Sequence, residues 1–113
     1  MVVDDEYDIL DTIRQWLELD GSKVCTFADP LAALEHFKSN SKDHNIVISD
    51  IRMPGINGYE FVKQIKKINP KVKVILMSAC EIENKRMSNL LAALKVDAFI
   101  KKPFSPKMLK SVI

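Results

Sequence analysis

The chain has 113 residues, 47% of them hydrophobic and 28% charged, with a formal net charge of +2, values that suit one soluble globular domain. No apolar run approaches the roughly 20 residues that a membrane helix needs, which sets aside a membrane partner. The lysines are spread along the chain without interleaved aromatic residues, so the mild basicity gives no support to direct nucleic-acid binding.

Val2 and Val3 form a first short strand that runs into Asp4, Asp5 and Glu6. No basic n-region and apolar h-region of a secretory signal is visible there, and a cytoplasmic location is expected. Ile9, Ile13, Trp16 and Leu17 then recur at helical spacing, the mark of a helix with one buried face. Trp16 belongs to that face and reads as packing, and Asp20-Gly21 closes the helix. Residues 23–27 predict a second strand with Cys25 buried in it. The two cysteines, Cys25 and Cys80, make neither a disulfide framework nor a zinc-ligand spacing, which fits a reducing compartment.

Asp29-Pro30 opens a second helix, because a capping side chain precedes a proline whose missing N–H costs nothing at the first helical position. Leu31, Leu34 and Phe37 supply its apolar face. His36 and His44 lie in no motif and are expected at the surface. Residues 46–49 predict a third strand that ends at Asp50. Asn57-Gly58 supplies a turn, and Phe61, Val62, Ile65 and Ile68 form the stripe of a helix that Asn69-Pro70 ends. Residues 72–77 predict a fourth strand, ending at Ser78. Met87, Leu90, Leu91 and Leu94 give a further helical stripe. Residues 98–100 predict a fifth strand leading into Lys101-Lys102, and Ser105-Pro106 opens a last helix in which Met108, Leu109 and Val112 begin an apolar face.

Apolar strands alternating with amphipathic helices argue for a parallel sheet covered by helices. Ligands of such sheets bind outside the carboxyl ends of the strands, where Asp4, Asp5, Asp50, Ser78 and Lys102 are expected to converge. Three carboxylates in one small region repel one another unless a cation intervenes. The oxygen-only donor set points to a hard cation, with Mg²⁺ the natural choice beside phosphate and Mn²⁺ or Ca²⁺ able to substitute.

Four segments stand in order along the chain: Val2-Val3-Asp4-Asp5-Glu6; Ser49-Asp50-Ile51-Arg52-Met53-Pro54-Gly55-Ile56-Asn57-Gly58; Ser78-Ala79; and Phe99-Ile100-Lys101-Lys102-Pro103-Phe104. Together they are far more specific than any one alone, and over essentially its whole length the chain resembles the receiver domain of two-component response regulators. The resemblance implies a doubly wound, flavodoxin-like fold with five parallel strands in the order 2-1-3-4-5 and helices on both faces. It implies that Asp50 accepts a phosphoryl group from the phosphohistidine of a sensor histidine kinase or histidine phosphotransfer protein. Asp5, Asp50 and the backbone carbonyl of Arg52 would hold Mg²⁺, with Asp4 acting through a metal-bound water, while Lys102 would pair with a phosphoryl oxygen and Lys101 would face solvent.

Ser78 matches the hydroxyl that answers the new phosphoryl group and Phe99 the aromatic switch position. The face formed by the last two predicted helices and the fifth strand would then change its preference for a downstream output domain or protein, or for a second copy of the chain in a phosphorylation-linked homodimer. Arg52 and Cys80 match positions that border the path of a hydrolytic water and tune how long the phosphate lasts. Such a module catalyses only its own phosphorylation and dephosphorylation.

Three features depart from the family pattern. The first strand has only Met1, Val2 and Val3 before the acidic pair, and the last helix stops at Ile113, both short of the averages of about 5–6 residues for strands and about 11–12 for helices. The domain, residues 1–113, is therefore expected to be clipped at both ends, with any output domain beyond it. Val96-Asp97 also stands where a glycine commonly precedes the fifth strand. The rival readings are a metal-dependent phosphohydrolase, with Asp4 as nucleophile and Glu6 as acid, and a receiver-like interaction module that is not phosphorylated.

Overall fold

The computed structural model describes residues 1–52, 55–79, 89 and 92–113. Cys80 and the predicted helical stripe at Met87, Leu90 and Leu91 lie outside these residues. Among the described residues, five strands run as β1 (Val2–Val3), β2 (Thr26–Phe27), β3 (Ile46–Asp50), β4 (Lys73–Ser78) and β5 (Ala98–Lys101). Helices α1 (Tyr7–Leu19), α2 (Pro30–Asn40), α3 (Gly58–Ile68) and α4 (Pro106–Val112) connect or flank them. All strand pairs are parallel, in the order β2-β1-β3-β4-β5, the doubly wound arrangement expected from the sequence. No described helix is long and apolar enough to cross a membrane.

The two-residue period of the strands divides the interior into two layers. Val47, Val74 and Leu76 pack with Ala33, Leu34 and Phe37 of α2 and Phe61, Val62 and Ile65 of α3. Their neighbours Ile48, Ile75 and Met77 pack on the other face with Leu10 and Ile13 of α1 and Leu109 of α4. Each Val, Leu, Ile, Phe or Met side chain among them, once fully buried, contributes about 1.5–3 kcal/mol. The helix starts follow the caps read from sequence: Asp29 Oδ1 accepts the Leu31 N–H at 3.0 Å and Ser105 Oγ the Met108 N–H at 3.2 Å.

Several local expectations need correction. The second strand spans only Thr26–Phe27 and is half-buried, because it is the sheet's edge. Cys25 precedes it and is half-buried too, its carbonyl accepting the Val2 N–H at 2.8 Å. The buried stripe of α2 is Pro30, Ala33, Leu34 and Phe37, so Leu31 falls beside it and is 50% exposed. Asn57 acts as the cap of α3, with Oδ1 accepting the Glu60 N–H at 2.9 Å. Ahead of β5 the left-handed backbone belongs to Lys95, at φ 58°. Asp97 there splices β4 to β5: its N–H donates to the Val74 carbonyl at 2.9 Å, and its carboxylate accepts the Val74 N–H at 2.7 Å.

Candidate functional site

Parallel register alone brings the acidic residues together. Val3 pairs with Ser49 across β1 and β3, so the next residues, Asp4 and Asp50, stand side by side at the carboxyl ends of these strands. Asp50 pairs with Met77, and Ser78 with Lys101, which sets Ser78 and Lys102 at the same edge. One carboxylate oxygen from each of Asp4, Asp5 and Asp50 lies within 4.8 Å of the other two. Asp5 is exposed, whereas Asp4 is fully buried and Asp50 is 8% exposed.

The hydrogen bonds distinguish the two buried carboxylates. Asp4 is engaged at both oxygens, Oδ1 accepting the Glu6 N–H at 2.9 Å and Oδ2 accepting from Lys102 Nζ at 2.7 Å. Asp50 Oδ1 accepts the Ile51 N–H at 2.9 Å, while its Oδ2 lies 3.5 Å from Lys102 Nζ, beyond ordinary hydrogen-bond length. Lys102 precedes a cis peptide bond to Pro103, and its N–H donates to the Ser78 carbonyl at 2.7 Å.

A family model described as the response regulator receiver domain matches this chain over residues 1–113. The chain belongs to that family. Response regulator SaeR of Staphylococcus aureus is 36% identical over 109 residues, which cover 96% of this chain and 46% of SaeR. The chain thus spans about half the length of the curated relatives it matches. Among solved structures, a response regulator receiver domain protein from Clostridium thermocellum is 31% identical with a TM-score of 0.83, covering 98% of this chain and 86% of that one. Chemotaxis response regulator CheY4 of Vibrio cholerae is 27% identical with a TM-score of 0.83, covering 99% and 95% of the two chains. As a receiver domain, the chain is a phosphoacceptor signalling module of two-component systems.

The electrostatics of this receiver's acidic edge are unbalanced. Burial pushes the Asp50 carboxyl above its ordinary value; Lys102 opposes this, and Asp4 reinforces it. Burial works to lower Lys102, but its hydrogen bond to Asp4, with the charges of Asp4, Asp50 and Glu6, outweighs that and holds the ammonium above its ordinary value. Among the described residues, the Lys102 ammonium alone faces the three carboxylates, a balance that is net negative. An all-oxygen donor set with that charge fits a hard divalent cation.

The structure brings Asp4, Asp5, Asp50 and Lys102 together and sets half-buried Ser78 at the same edge. Arg52, two residues past Asp50, is exposed, as is Lys101. Phe99 pairs with Leu76 in register and lies half-buried against the α2/α3 layer. Sequence reasoning missed the role of Gly58. A Cβ there would stand 2.6 Å from Ile51 Cα and 2.8 Å from the Asp50 carbonyl oxygen, closer than side chains are tolerated. The Gly58 N–H also donates to the Ile51 carbonyl at 2.7 Å, seating α3 directly against the backbone that carries Asp50. Sequence reasoning also misjudged the histidines: His36 and His44 are half-buried, with their Nε2 atoms 2.8 Å apart, because the β2-α2-β3 crossover folds them towards each other.

Proposed function

We propose that Asp50 is the phosphoryl acceptor of this receiver. The observation that carries the proposal is the contrast at the acidic edge: Asp50 Oδ2 has Lys102 only at 3.5 Å, while both oxygens of Asp4 are engaged. Asp50 Oδ2 attacks phosphorus, a P–O bond forms, and the P–N bond to the donor's imidazole breaks, the nitrogen keeping the electron pair and taking a proton. Lys102, poised between Asp4 and Asp50, meets the incoming phosphoryl oxygens and offsets their charge. Asp5, Asp50 and the backbone carbonyl of Arg52 would hold Mg²⁺, with Asp4 reached through water and with Mn²⁺ or Ca²⁺ able to substitute. When bound, the cation neutralises charge on the carboxylates and the phosphoryl group.

The donor is the phosphohistidine of a sensor histidine kinase or histidine phosphotransfer protein, and the reaction takes place in the cytoplasm. Ser78 answers the new phosphoryl group and Phe99 carries the change to the face around β5 and α4, shifting a population between two packings. That face engages an output domain or protein, or a second copy in a phosphorylation-linked homodimer. Residues 1–113 act as one receiver unit of a longer protein, consistent with the half-length match to SaeR. Arg52 and Cys80 tune phosphate lifetime, and the chain catalyses no reaction beyond its own phosphorylation and dephosphorylation. The phosphohydrolase reading fares worse because Asp4, its nucleophile, is fully buried and held at both oxygens.

Incubation with a small acyl phosphate and Mg²⁺, followed by intact-mass measurement, tests this. One phosphoryl adduct is expected, absent from Asp50→Asn. Uptake at the same level in that variant refutes the assignment.

A further inference from the structure

A second cluster of metal-ligating side chains lies near the amino-terminal edge of the sheet, away from the acidic residues. Cys25 precedes β2, His36 lies in α2, and His44 follows the short 3₁₀ turn Ser41–Asp43 and precedes β3. All three are half-buried, and one ligand atom from each lies within 4.8 Å of the other two. We propose that Cys25, His36 and His44 form a binding site for Zn²⁺.

The chemistry of the donors selects the ion. One sulfur and two imidazole nitrogens are borderline-soft ligands that favour Zn²⁺ over Mg²⁺, which the oxygen-only cluster at the other edge suits better. Zn–S and Zn–N bonds of about 2.3 and 2.0–2.1 Å put tetrahedral ligand atoms roughly 3.3–3.6 Å apart, compatible with ligand atoms that lie within 4.8 Å of one another. The histidine Nε2 atoms, 2.8 Å apart, need only part by about half an ångström to admit the ion. Their contact already requires one ring to offer a lone pair to the other's N–H.

The surroundings support a ligand role. The Phe27 ring lies 5.0 Å from that of His36, and the Phe37 ring stacks on His44 at 6.3 Å between centroids, giving the nitrogens an apolar wall. Coordination through Nε2 moves the His36 proton to Nδ1, where the Asn40 amide now sits at 3.4 Å. That contact is long, so releasing it costs little. Binding also displaces the Cys25 thiol proton to solvent. Among the described residues no fourth His, Cys, Asp or Glu joins the group, leaving the fourth position to solvent or an incoming ligand. The ion would clip together the lead into β2, the middle of α2 and the entry to β3.

The test is titration of the whole chain with Co²⁺ and then Zn²⁺, with saturating Mg²⁺ present to occupy the acidic cluster. One equivalent of Co²⁺ gives a thiolate-to-metal charge-transfer band, and Zn²⁺ displaces it. At a hundredfold excess over its Kd, Zn²⁺ raises the thermal midpoint by roughly 5 °C or more. Cys25→Ser abolishes the band, His36→Gln and His44→Gln each weaken Co²⁺ binding at least about tenfold, and Cys80→Ser leaves it in place. Absence of the band from the folded wild-type chain overturns the proposal, as does its persistence in Cys25→Ser or its loss in Cys80→Ser. The wild-type spectrum decides the matter even if a variant fails to fold.

Discussion

Asp50 and Asp97 are the same residue type at opposite edges of one sheet, and their environments pull them in opposite directions. Asp97, ahead of β5, is also pushed up by burial, but the Val74 N–H at 2.7 Å and Lys66 Nζ at 3.1 Å outweigh this and hold its carboxyl below the ordinary range. Asp50 has Lys102 at 3.5 Å, and that lysine is already bonded to Asp4, so its carboxyl is held above that range, burial being the largest cause. The amino edge uses its charge to join strands. The carboxyl edge keeps charge under-compensated, and that residue of reactivity is what a phosphoryl group and a cation can relieve.

The sharpest way to break this comparison is to exchange the two residues' fates. Asp50→Asn is expected to abolish phosphoryl uptake while Asp97→Asn retains it, as read by intact mass; retention in the first or loss in the second would sink the division of labour. Next in size, Lys102→Met leaves fully buried Asp4 without its cation, and breaking such a pair costs about 3–5 kcal/mol. Urea denaturation at neutral pH measures this, and adding Asp4→Asn should recover much of the loss. Gly58→Ala should cost about 1–3 kcal/mol through the forced clash and slow labelling of Asp50 by acyl phosphate, whereas an unchanged urea midpoint argues that α3 can yield.

At the amino edge the expected change has the opposite sign. Lys95→Gly relieves a left-handed non-glycine residue and should stabilise by about 1 kcal/mol. The smallest effect is in pH dependence. The native pKa of Asp50 lies above its unfolded value, so across that interval the folded state holds the extra proton and stability falls as pH rises. That of Asp97 lies below, so its contribution is complete above the ordinary carboxylate value and is lost as pH falls through its native pKa. Asp50→Asn should therefore be more stable than wild type at neutral pH. Its advantage should shrink as pH falls towards about 4, and a constant difference in urea midpoints across that range would contradict the raised Asp50.

Much of this was legible in the chain itself. The continuous apolar runs of β3 and β4 and the caps at Asp29 and Ser105 depend on local chemistry, so the sequence reveals them. The Asp4, Asp5, Asp50 and Lys102 set was legible because parallel strands must end at a common edge. Other features depend on distant partners. β2 was overextended because a half-buried edge strand has no apolar run to mark its limits. Gly58 resembled a turn former, since the backbone it must clear belongs to residues that only the fold brings underneath it. Cys25, His36 and His44 carry no motif spacing, and their meeting depends on how a single crossover packs.

The absence of clearance between Gly58 and the Asp50-Ile51 backbone also defines what would have to travel if the acidic edge were transplanted. Grafting three aspartates and a lysine onto another parallel sheet would reproduce the charges but leave the following helix standing off by the width of a methyl group. The transferable unit is the end of the strand together with the glycine that opens the helix bearing on it. A designer would copy that pair as one part.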